Sequence, residues 1–268
     1  VGFDGVVSNI AGMIGVGTNV NGTGAAAGFN TPLGLAVDTA GNIYVADSKN
    51  NAIRRIDSAN VVTTYATGFN QPNGVSVGDN GDLWVADTLN HVIKTVATNG
   101  TITFRAGTNG FAGSADGSVA LGGQLSSPRG VLWMGPAGLL IADSGNHTLR
   151  RLATNTSIGT YTMETSAGGA GQPGFVNGAT NVARLNSPIG LVADIFNGAF
   201  LLADAGNKAI RRIQQTPALP AIANPVIGVI TLTTNASTST VVPVFTVVTD
   251  GVFINDAVIA VTAEANVT

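Results

Sequence analysis

The stretch DSGNHTLRR, from Asp143 to Arg151, brings together several residue types that can do chemistry. An aspartate can hold a metal or take up a proton, a histidine transfers protons near neutral pH, and paired arginines bind anions. The same residues can also shape a hairpin, because Asp and Asn side chains hydrogen-bond to backbone amides in turns. The number of copies distinguishes the two interpretations, since a catalytic group is needed only once.

The cluster is part of a unit that occurs four times along the chain. Each copy begins with Pro-x-Gly, and an aspartate follows the proline after 15 residues in three copies and after 16 in the last. An asparagine lies three residues beyond that aspartate, and an aliphatic residue lies six beyond it, directly before a basic one. The four copies are Pro32–Ile56, Pro72–Val96, Pro128–Leu152 and Pro188–Ile213.

Each unit has the pattern of a small antiparallel sheet. Proline and glycine open a short aliphatic strand, and a glycine-containing turn leads into a second strand that ends at Ala-Asp. The basic residues lie on a third strand, and a Val/Thr-rich fourth strand follows, as in Val61–Ala66 and Thr101–Ala106. Four antiparallel strands in about 40–60 residues are typical of one blade of a β-propeller.

The four units resemble NHL repeats, a family named for an Asn-His-Leu signature that Asn146-His147-Thr148-Leu149 comes close to spelling. The resemblance covers about residues 6–213. It implies an all-β propeller, usually of about six blades, that serves as a binding or scaffolding platform, with enzymes as a minority of relatives. This chain departs from that norm, because only four complete motifs are present.

The N-terminus supplies a remnant of a further unit. Ala11-Gly12 precedes the first repeat by a glycine-rich stretch, just as similar Ala-Gly pairs precede the third and fourth repeats. Val6–Ile10 is therefore expected to be the fourth strand of a blade. In the simplest arrangement it completes the blade that begins at Pro188, which would remove both free edges. The alternative is that strands of a neighbouring chain complete the ring.

After the fourth unit the composition changes. Pro217, Pro220 and Pro225 indicate an extended linker, and three Val/Thr-rich segments with alternating character follow. The sequence thus predicts an NHL-type propeller over 1–214 and a linker with a C-terminal β-strand segment over 215–268. These strands either cover the propeller or pair their edge with a partner. They are expected at Val226–Thr234, Thr238–Thr249 and Ala257–Thr268.

The motif residues are interpreted as structural, because they recur at the same offset in every unit. Each aspartate is expected to accept backbone N–H bonds after the second strand, and each asparagine to be a turn residue that tolerates a left-handed backbone. The arginines are expected to bind the aspartates across the hairpin, with an anion-binding surface as the alternative. The residues are Asp47, Asp87, Asp143, Asp204, Asn50 or Asn51, Asn90, Asn146, Asn207, Arg54, Lys94, Arg150 and Arg211.

The sequence predicts no enzyme, metal or cofactor. His91 and His147 are the only histidines and occupy the same repeat position, and two histidines cannot build a three-histidine zinc site. Amidating-lyase relatives of the NHL family would need a histidine-bound zinc. Calcium-dependent lactonases and strictosidine-synthase-like propellers, which resemble this fold, would need central acids beyond the motif aspartates. The sequence also contains no Gly-x-Ser-x-Gly elbow and no phosphate loop.

The composition narrows the choice of partners. A net charge of −3 with scattered basic residues argues against nucleic acid, which binds a basic stripe. No apolar run reaches the roughly 18 residues that a membrane-spanning helix needs, and the absence of cysteine excludes disulfides. Only 10% of the residues are charged. This low charge and the Thr/Asn/Gly-rich composition favour a secreted or cell-surface structural protein.

Asn-x-Ser/Thr sequons occur six times, a number close to chance for a chain so rich in Asn and Thr. One of them coincides with the motif residue Asn146. The other candidate N-glycosylation sites are Asn21, Asn99, Asn155, Asn235 and Asn266.

Together these features predict a non-catalytic extracellular structural or adhesive module. We expect it to bind copies of itself or other surface proteins through its terminal strands, as a self-assembling subunit of a glycosylated fibre or surface layer. The first alternative is a propeller-fold platform that binds a peptide or a glycan through its inter-blade loops. The second alternative is a metal-dependent hydrolase or lyase.

Overall fold

The computed structural model describes residues 5, 7–118, 123–155, 160–194 and 197–214. These residues form four antiparallel sheets whose strands are joined by turns and single-turn 3-10 helices. They belong to the first of two compact units, which extends to Pro217. The predicted linker and strand segment over 215–268 lies outside the described residues, so it stays a prediction.

Each sheet is built from one copy of the repeat, as the sequence predicts. The first sheet has the order β1-β5-β4-β3-β2 and the second the order β6-β7-β8-β9. The strands of the first are β1 Gly22–Thr23, β2 Pro32–Val37, β3 Ile43–Asp47, β4 Ala52–Ile56 and β5 Val61–Thr67. Those of the second are β6 Pro72–Val77, β7 Leu83–Asp87, β8 Val92–Val96 and β9 Ile102–Gly107.

The third and fourth sheets follow the same order. The third has five strands in the order β10-β14-β13-β12-β11, and the fourth has three in the order β15-β16-β17. The third contains β10 Gly117–Ser118, β11 Pro128–Trp133, β12 Leu139–Asp143, β13 Thr148–Asn155 and β14 Thr160–Gly168. The fourth contains β15 Pro188–Asp194, β16 Ala199–Asp204 and β17 Ala209–Gln214.

The hydrophobic core lies between successive sheets, which are therefore the blades of a β-propeller. One cluster joins blade 1 to blade 2, with Ile53 against Val75. A second joins blades 2 and 3, and a third joins blades 3 and 4, where Leu149 shares a cluster with Leu202. These three contacts are the first, second and third junctions. Among the described residues, no buried cluster joins blade 4 to blade 1.

The prediction that Val6–Ile10 completes the last blade is wrong for its described part. Residues 7–10 form no strand, Val7 is 97% exposed, and the described part of the fourth sheet has three strands. The loop that follows is bound to blade 1, because Arg54 donates to the carbonyl oxygen of Val20 and to the side chain of Asn21.

Candidate functional site

The motif aspartate, asparagine and basic residue form one buried network in every blade. The first carboxylate oxygen of Asp143 accepts the backbone N–H of Ser126 at 2.7 Å, and the second accepts Asn146 Nδ2 at 2.6 Å and Arg150 Nη1 at 3.1 Å. The same three bonds recur at Asp47 and Asp204, and at Asp87 with lysine as the base. All four aspartates are buried.

The surroundings of Asp143 show what burial costs such a carboxylate. Desolvation raises its pKa to about 6, although the Ser126 amide, Asn146 and Arg150 all favour the ionised form. Both oxygens of each carboxylate already accept hydrogen bonds from the same blade and the loop before it. The network therefore stabilises the blade, and its carboxylates are not free to bind a metal ion or a substrate. The described residues contain no group of three or more His, Asp or Glu side chains arranged to hold a metal ion.

The arginines also form hydrogen bonds to the long glycine-rich loops. Arg150 also donates to the carbonyl oxygens of Gln124 and Ala115 and to the carboxylate of Asp116, all in the loop before its blade. Arg54 and Arg211 make matching bonds to the loops before blades 1 and 4. Blade 2 follows a short connection, and there Lys94 bonds only to Asp87 and to the carbonyl oxygen of Gly68. Arginine thus occupies the motif position in the blades that follow a long loop, because its guanidinium group can donate to several acceptors of that loop.

The second basic residue of each pair lies on the other face of the third strand, as alternation requires. Arg55 donates to the side chain of Asn42, Arg151 binds Glu164 at 2.8 Å, and Arg212 lies 3.3 Å from Asp194. These bonds stay within one blade.

The residue after each motif asparagine has the left-handed backbone. Asn51, His91, His147 and Lys208 have φ values of 54°, 58°, 59° and 55°. The expectation for Asn90, Asn146 and Asn207 was therefore wrong by one position: these asparagines end a 3-10 turn and donate to the motif aspartates.

Three of these left-handed residues join one blade to the next. His91 Nδ1 accepts the backbone N–H of Ser127 and His147 Nδ1 that of Ser187, both at 3.0 Å. Asn51 accepts from Gln71 in the same way at 2.8 Å. The histidines are thus structural acceptors between blades. Lysine has donors only, so Lys208 cannot make this bond.

Two further repeat positions complete each junction. The hydroxyl of the residue after the motif aspartate, on Ser48, Thr88 or Ser144, bonds to the next blade at Asn73, Pro128 or Pro188. The glycine of Pro-x-Gly allows the next inner strand to approach closely: a Cβ at Gly34, Gly74 or Gly130 would overlap a backbone oxygen of the following blade. Blade 4 keeps the glycine, as Gly190, but has Ala205 in place of the hydroxyl.

The first and the last blade each expose apolar side chains on the face that has no neighbouring blade among the described residues, and some of these lie at positions that the inner junctions bury. The leading face is defined as Leu33, Leu35 and Val37 on blade 1, and the trailing face as Val192, Leu201, Ala203 and Ile210 on blade 4. Ile210 is 73% exposed, whereas its counterparts Ile53, Ile93 and Leu149 are fully buried. Leu35 is 66% exposed, whereas its counterparts Val75 and Val131 are buried. Sequence reasoning did not find these faces.

The blades and their repeated network define a β-propeller. The NHL repeat model matches residues 29–56 and 69–94, which cover the first two of the four units. No curated protein sequence matches the chain. No helix in the described ranges is long and apolar enough to cross a membrane.

Solved structures of similar fold include a binding protein, a protein of unknown function and an enzyme. An auxiliary nutrient binding protein from Bacteroides ovatus is 21% identical, with a TM-score of 0.58 over 70% of this chain and 49% of its own. A protein of unknown function from Bacteroides thetaiotaomicron is 20% identical, with a TM-score of 0.60 over 68% and 47%. A gluconolactonase from Xanthomonas campestris is 13% identical, with a TM-score of 0.52 over 69% and 58%. The chain spans about half the length of the two Bacteroides proteins.

Proposed function

We propose that this chain is a non-catalytic structural module that assembles head to tail, with the trailing face of one copy packed on the leading face of a second copy. The observation that carries the proposal is the exposure of Ile210, whose three counterparts are fully buried, and of Leu35, whose counterparts Val75 and Val131 are buried. Burying one such side chain contributes about 1.5–3 kcal/mol, so two faces of this kind in contact are a favourable pair.

The three inner junctions supply the template for the contact between copies. Gly190 has only the Cβ of Ala203 near it, at 3.8 Å from where its own Cβ would stand, so an incoming inner strand has room to approach. On the leading face, among the described residues, no bond is donated by the backbone N–H of Thr31, which has the same left-handed φ as Gln71 and Ser127. Because blade 4 has Ala205 and Lys208 at the two bonding positions, apolar packing would carry this contact.

The contact is heterologous, since two different faces meet. Such contacts close into a ring or continue as a filament, according to the rotation between copies. Two copies of four blades would form a ring of eight, which lies within the range of about 4–8 blades typical of propellers. The motif carboxylates support a non-catalytic role, because internal donors of the same blade occupy them.

The test is the mass of the full-length chain in solution over a range of concentrations, measured by sedimentation velocity. We expect dimers or larger species, and we expect Ile210→Asp and Leu35→Asp each to weaken assembly at least about tenfold, because a charge replaces one buried side chain. An equimolar mixture of the two variants should form a dimer, because one intact leading face and one intact trailing face remain.

Two further variants make the outcome decisive. Gly190→Ala should fold normally yet fail to assemble, because its Cβ would overlap the incoming strand. Phe111→Asp replaces a residue that is 70% exposed away from both faces and should assemble like the wild type. A monomer at every concentration, or a mixture of the two face variants that stays monomeric, overturns the proposal.

We further propose that the module acts outside the cell and carries N-linked sugar at Asn99. Asn99 is exposed in the turn between β8 and β9, where its side-chain oxygen accepts the Thr101 amide. Asn21 and Asn146 are instead bound to the motif networks, Asn21 through Arg54 and Asn146 through Asp143. Asn155 ends strand β13, and Asn235 and Asn266 lie outside the described residues.

Expression through a secretory pathway that attaches N-glycans tests this proposal. We expect secreted protein whose mass falls by one glycan in the Asn99→Gln variant and is unchanged in Asn21→Gln. Retention of the chain inside the cell, or a glycan-free Asn99 on secreted protein, would contradict it.

A further inference from the structure

A small polar cavity lies at the second junction, away from both end faces. Its volume is about 210 Å³, and its walls include the only two tryptophans of the chain, Trp84 and Trp133. Their rings are stacked with centroids 5.0 Å apart at 14°, and the ring of Tyr161 meets Trp84 edge-on at 5.8 Å. The cavity is smaller than the roughly 300–1,000 Å³ of pockets for drug-sized ligands, so it fits a single ring.

The same place at the first junction is closed by its own side chains. There Asp38 accepts bonds from Asn42 and from the Tyr44 hydroxyl, and Arg55 donates to the oxygen of Asn42. In the next blade Gly78 takes the position of Asp38 and Asp82 that of Asn42. A Cβ at Gly78 would stand 3.0 Å from Nε1 of Trp84, so a larger residue at this position would crowd the wall of the cavity.

The polar groups around the cavity have bonding capacity left over. Arg105 is held by a 2.8 Å bond from its Nε to Thr95 and by its place 6.0 Å from the Trp84 ring and 5.6 Å from the Tyr161 ring. Its two terminal nitrogens donate to no described residue. Asp79 uses one oxygen to accept Trp133 Nε1 at 2.9 Å, and no described side chain or amide donates to the carboxylate of Asp82.

We infer that this cavity binds a neutral sugar residue, either free or at the end of a glycan. A sugar hydroxyl both donates and accepts, so neighbouring hydroxyls can bond to the Asp82 carboxylate and the Arg105 guanidinium together. Aromatic side chains beside such polar groups supply an apolar wall for the C–H groups of the ring. Holding Arg105 in place before binding reduces the entropy lost when the ligand is bound.

The charges of the cavity favour a neutral ligand. Asp79 and Asp82 would repel a phosphate or a carboxylate, and Arg105 would repel an ammonium group. A hydroxyl-rich ring carries no charge and satisfies both kinds of partner. This inference does not depend on assembly between copies, because the second junction is internal to one chain.

Tryptophan fluorescence provides a direct measurement, because both tryptophans of the chain line the cavity. D-Glucose, D-galactose, D-mannose and N-acetyl-D-glucosamine are titrated into the full-length chain, followed by maltotriose and chitotriose. We expect a saturable change with at least one of these sugars. Tighter binding of a trisaccharide than of its own monosaccharide identifies the end of a glycan as the ligand, whereas equal binding identifies the free sugar.

Three variants and one control locate the binding. Asp82→Ala and Arg105→Gln each remove a charged hydrogen-bonding group and should weaken the sugar response at least about tenfold. Gly78→Ala should weaken it by occupying the space beside Trp84. Asn42→Ala, the counterpart of Asp82 at the closed first junction, should leave the response unchanged. Unchanged far-ultraviolet circular dichroism establishes that each variant is folded.

Several results would overturn the inference. These are a fluorescence change that stays linear in sugar concentration, an equal response in the wild type and Asp82→Ala, and no response to any of the six sugars. A response to glycine or acetate in place of the sugars would assign the cavity to a charged ligand and would equally overturn it.

Discussion

The three inner junctions and the two end faces use the same positions of the repeat, yet they differ in what covers them. Ile53, Ile93 and Leu149 are buried by a following blade, while Ile210 on the last blade is 73% exposed. The difference does not come from the strands themselves, since blade 4 forms its three strands in the same register as the others. A blade of this kind thus forms its hydrogen bonds alone but needs a neighbour to bury its side chains.

The inner junctions and the end face of blade 4 also differ in their polar contacts. Each inner junction has a hydroxyl bond and a bond to the left-handed residue, as at Thr88 and His91. The last blade has Ala205 and Lys208 at these positions and keeps only the close-approach glycine. A contact made by this face therefore relies on apolar packing, whereas the inner junctions are also held in register by directional bonds.

The largest expected difference between junction and end is at the close-approach glycine. Gly130→Ala should lower the free energy of unfolding by about 3 kcal/mol, because the added Cβ would overlap the carbonyl oxygen of Ile189. Gly190→Ala should change it by less than about 0.5 kcal/mol, because the new Cβ meets only the Cβ of Ala203, at an ordinary contact distance of 3.8 Å. Urea denaturation, followed by circular dichroism at the lowest usable protein concentration, measures both values.

Equal losses in the free energy of unfolding for Gly130→Ala and Gly190→Ala would contradict the proposed difference between an inner junction and an end face. A small cost at Gly130 would mean that neighbouring inner strands separate easily, and a large cost at Gly190 would mean that its face is covered within one chain.

A smaller difference is expected at the left-handed position. His147→Ala removes the acceptor of the Ser187 amide, while Lys208→Ala shortens the side chain at the same left-handed position without losing a junction bond. We expect His147→Ala to be less stable than Lys208→Ala by about 1 kcal/mol, the usual worth of one hydrogen bond. Urea denaturation of the two variants provides the measurement.

The matched variant at this position is His147→Asn. Asn51 already fills this role at the first junction, so the substitution should leave the free energy of unfolding nearly unchanged. A loss as large as that of His147→Ala would show that the imidazole ring contributes by packing and not through its nitrogen.

Much of the fold and the motif chemistry could be predicted from the sequence because both are local and repeated. The spacing of Pro-x-Gly, Asp and the basic residue places four antiparallel units, and the repetition of Asp143 in four copies indicated a structural role. The departure of Ala205 and Lys208 from the other copies was also visible in the sequence. The loss of two junction bonds that follows from this departure could not be predicted, because the partners of those positions lie in the next blade.

Other features depend on contacts between distant segments. The left-handed residue lies one position after the motif asparagine, since the asparagine side chain turns back to the aspartate and the next residue must reverse the chain. The polar cavity at the second junction needs Gly78 and Trp84 of one blade to meet Trp133 and Tyr161 of the next. The spacing of residues within one unit does not predict such contacts between neighbouring blades.

The sequence by itself determined the repeated blade, its strand order and the residues that brace it, because these rest on hydrogen bonds and turns within about 40–60 residues. Only the tertiary structure decided which blade faces are covered. Residues 7–10 form no strand, and Val7 is 97% exposed, so this described stretch does not complete blade 4. Burial depends on which surfaces meet in space, and for the leading and trailing faces no described residue of this chain supplies that surface.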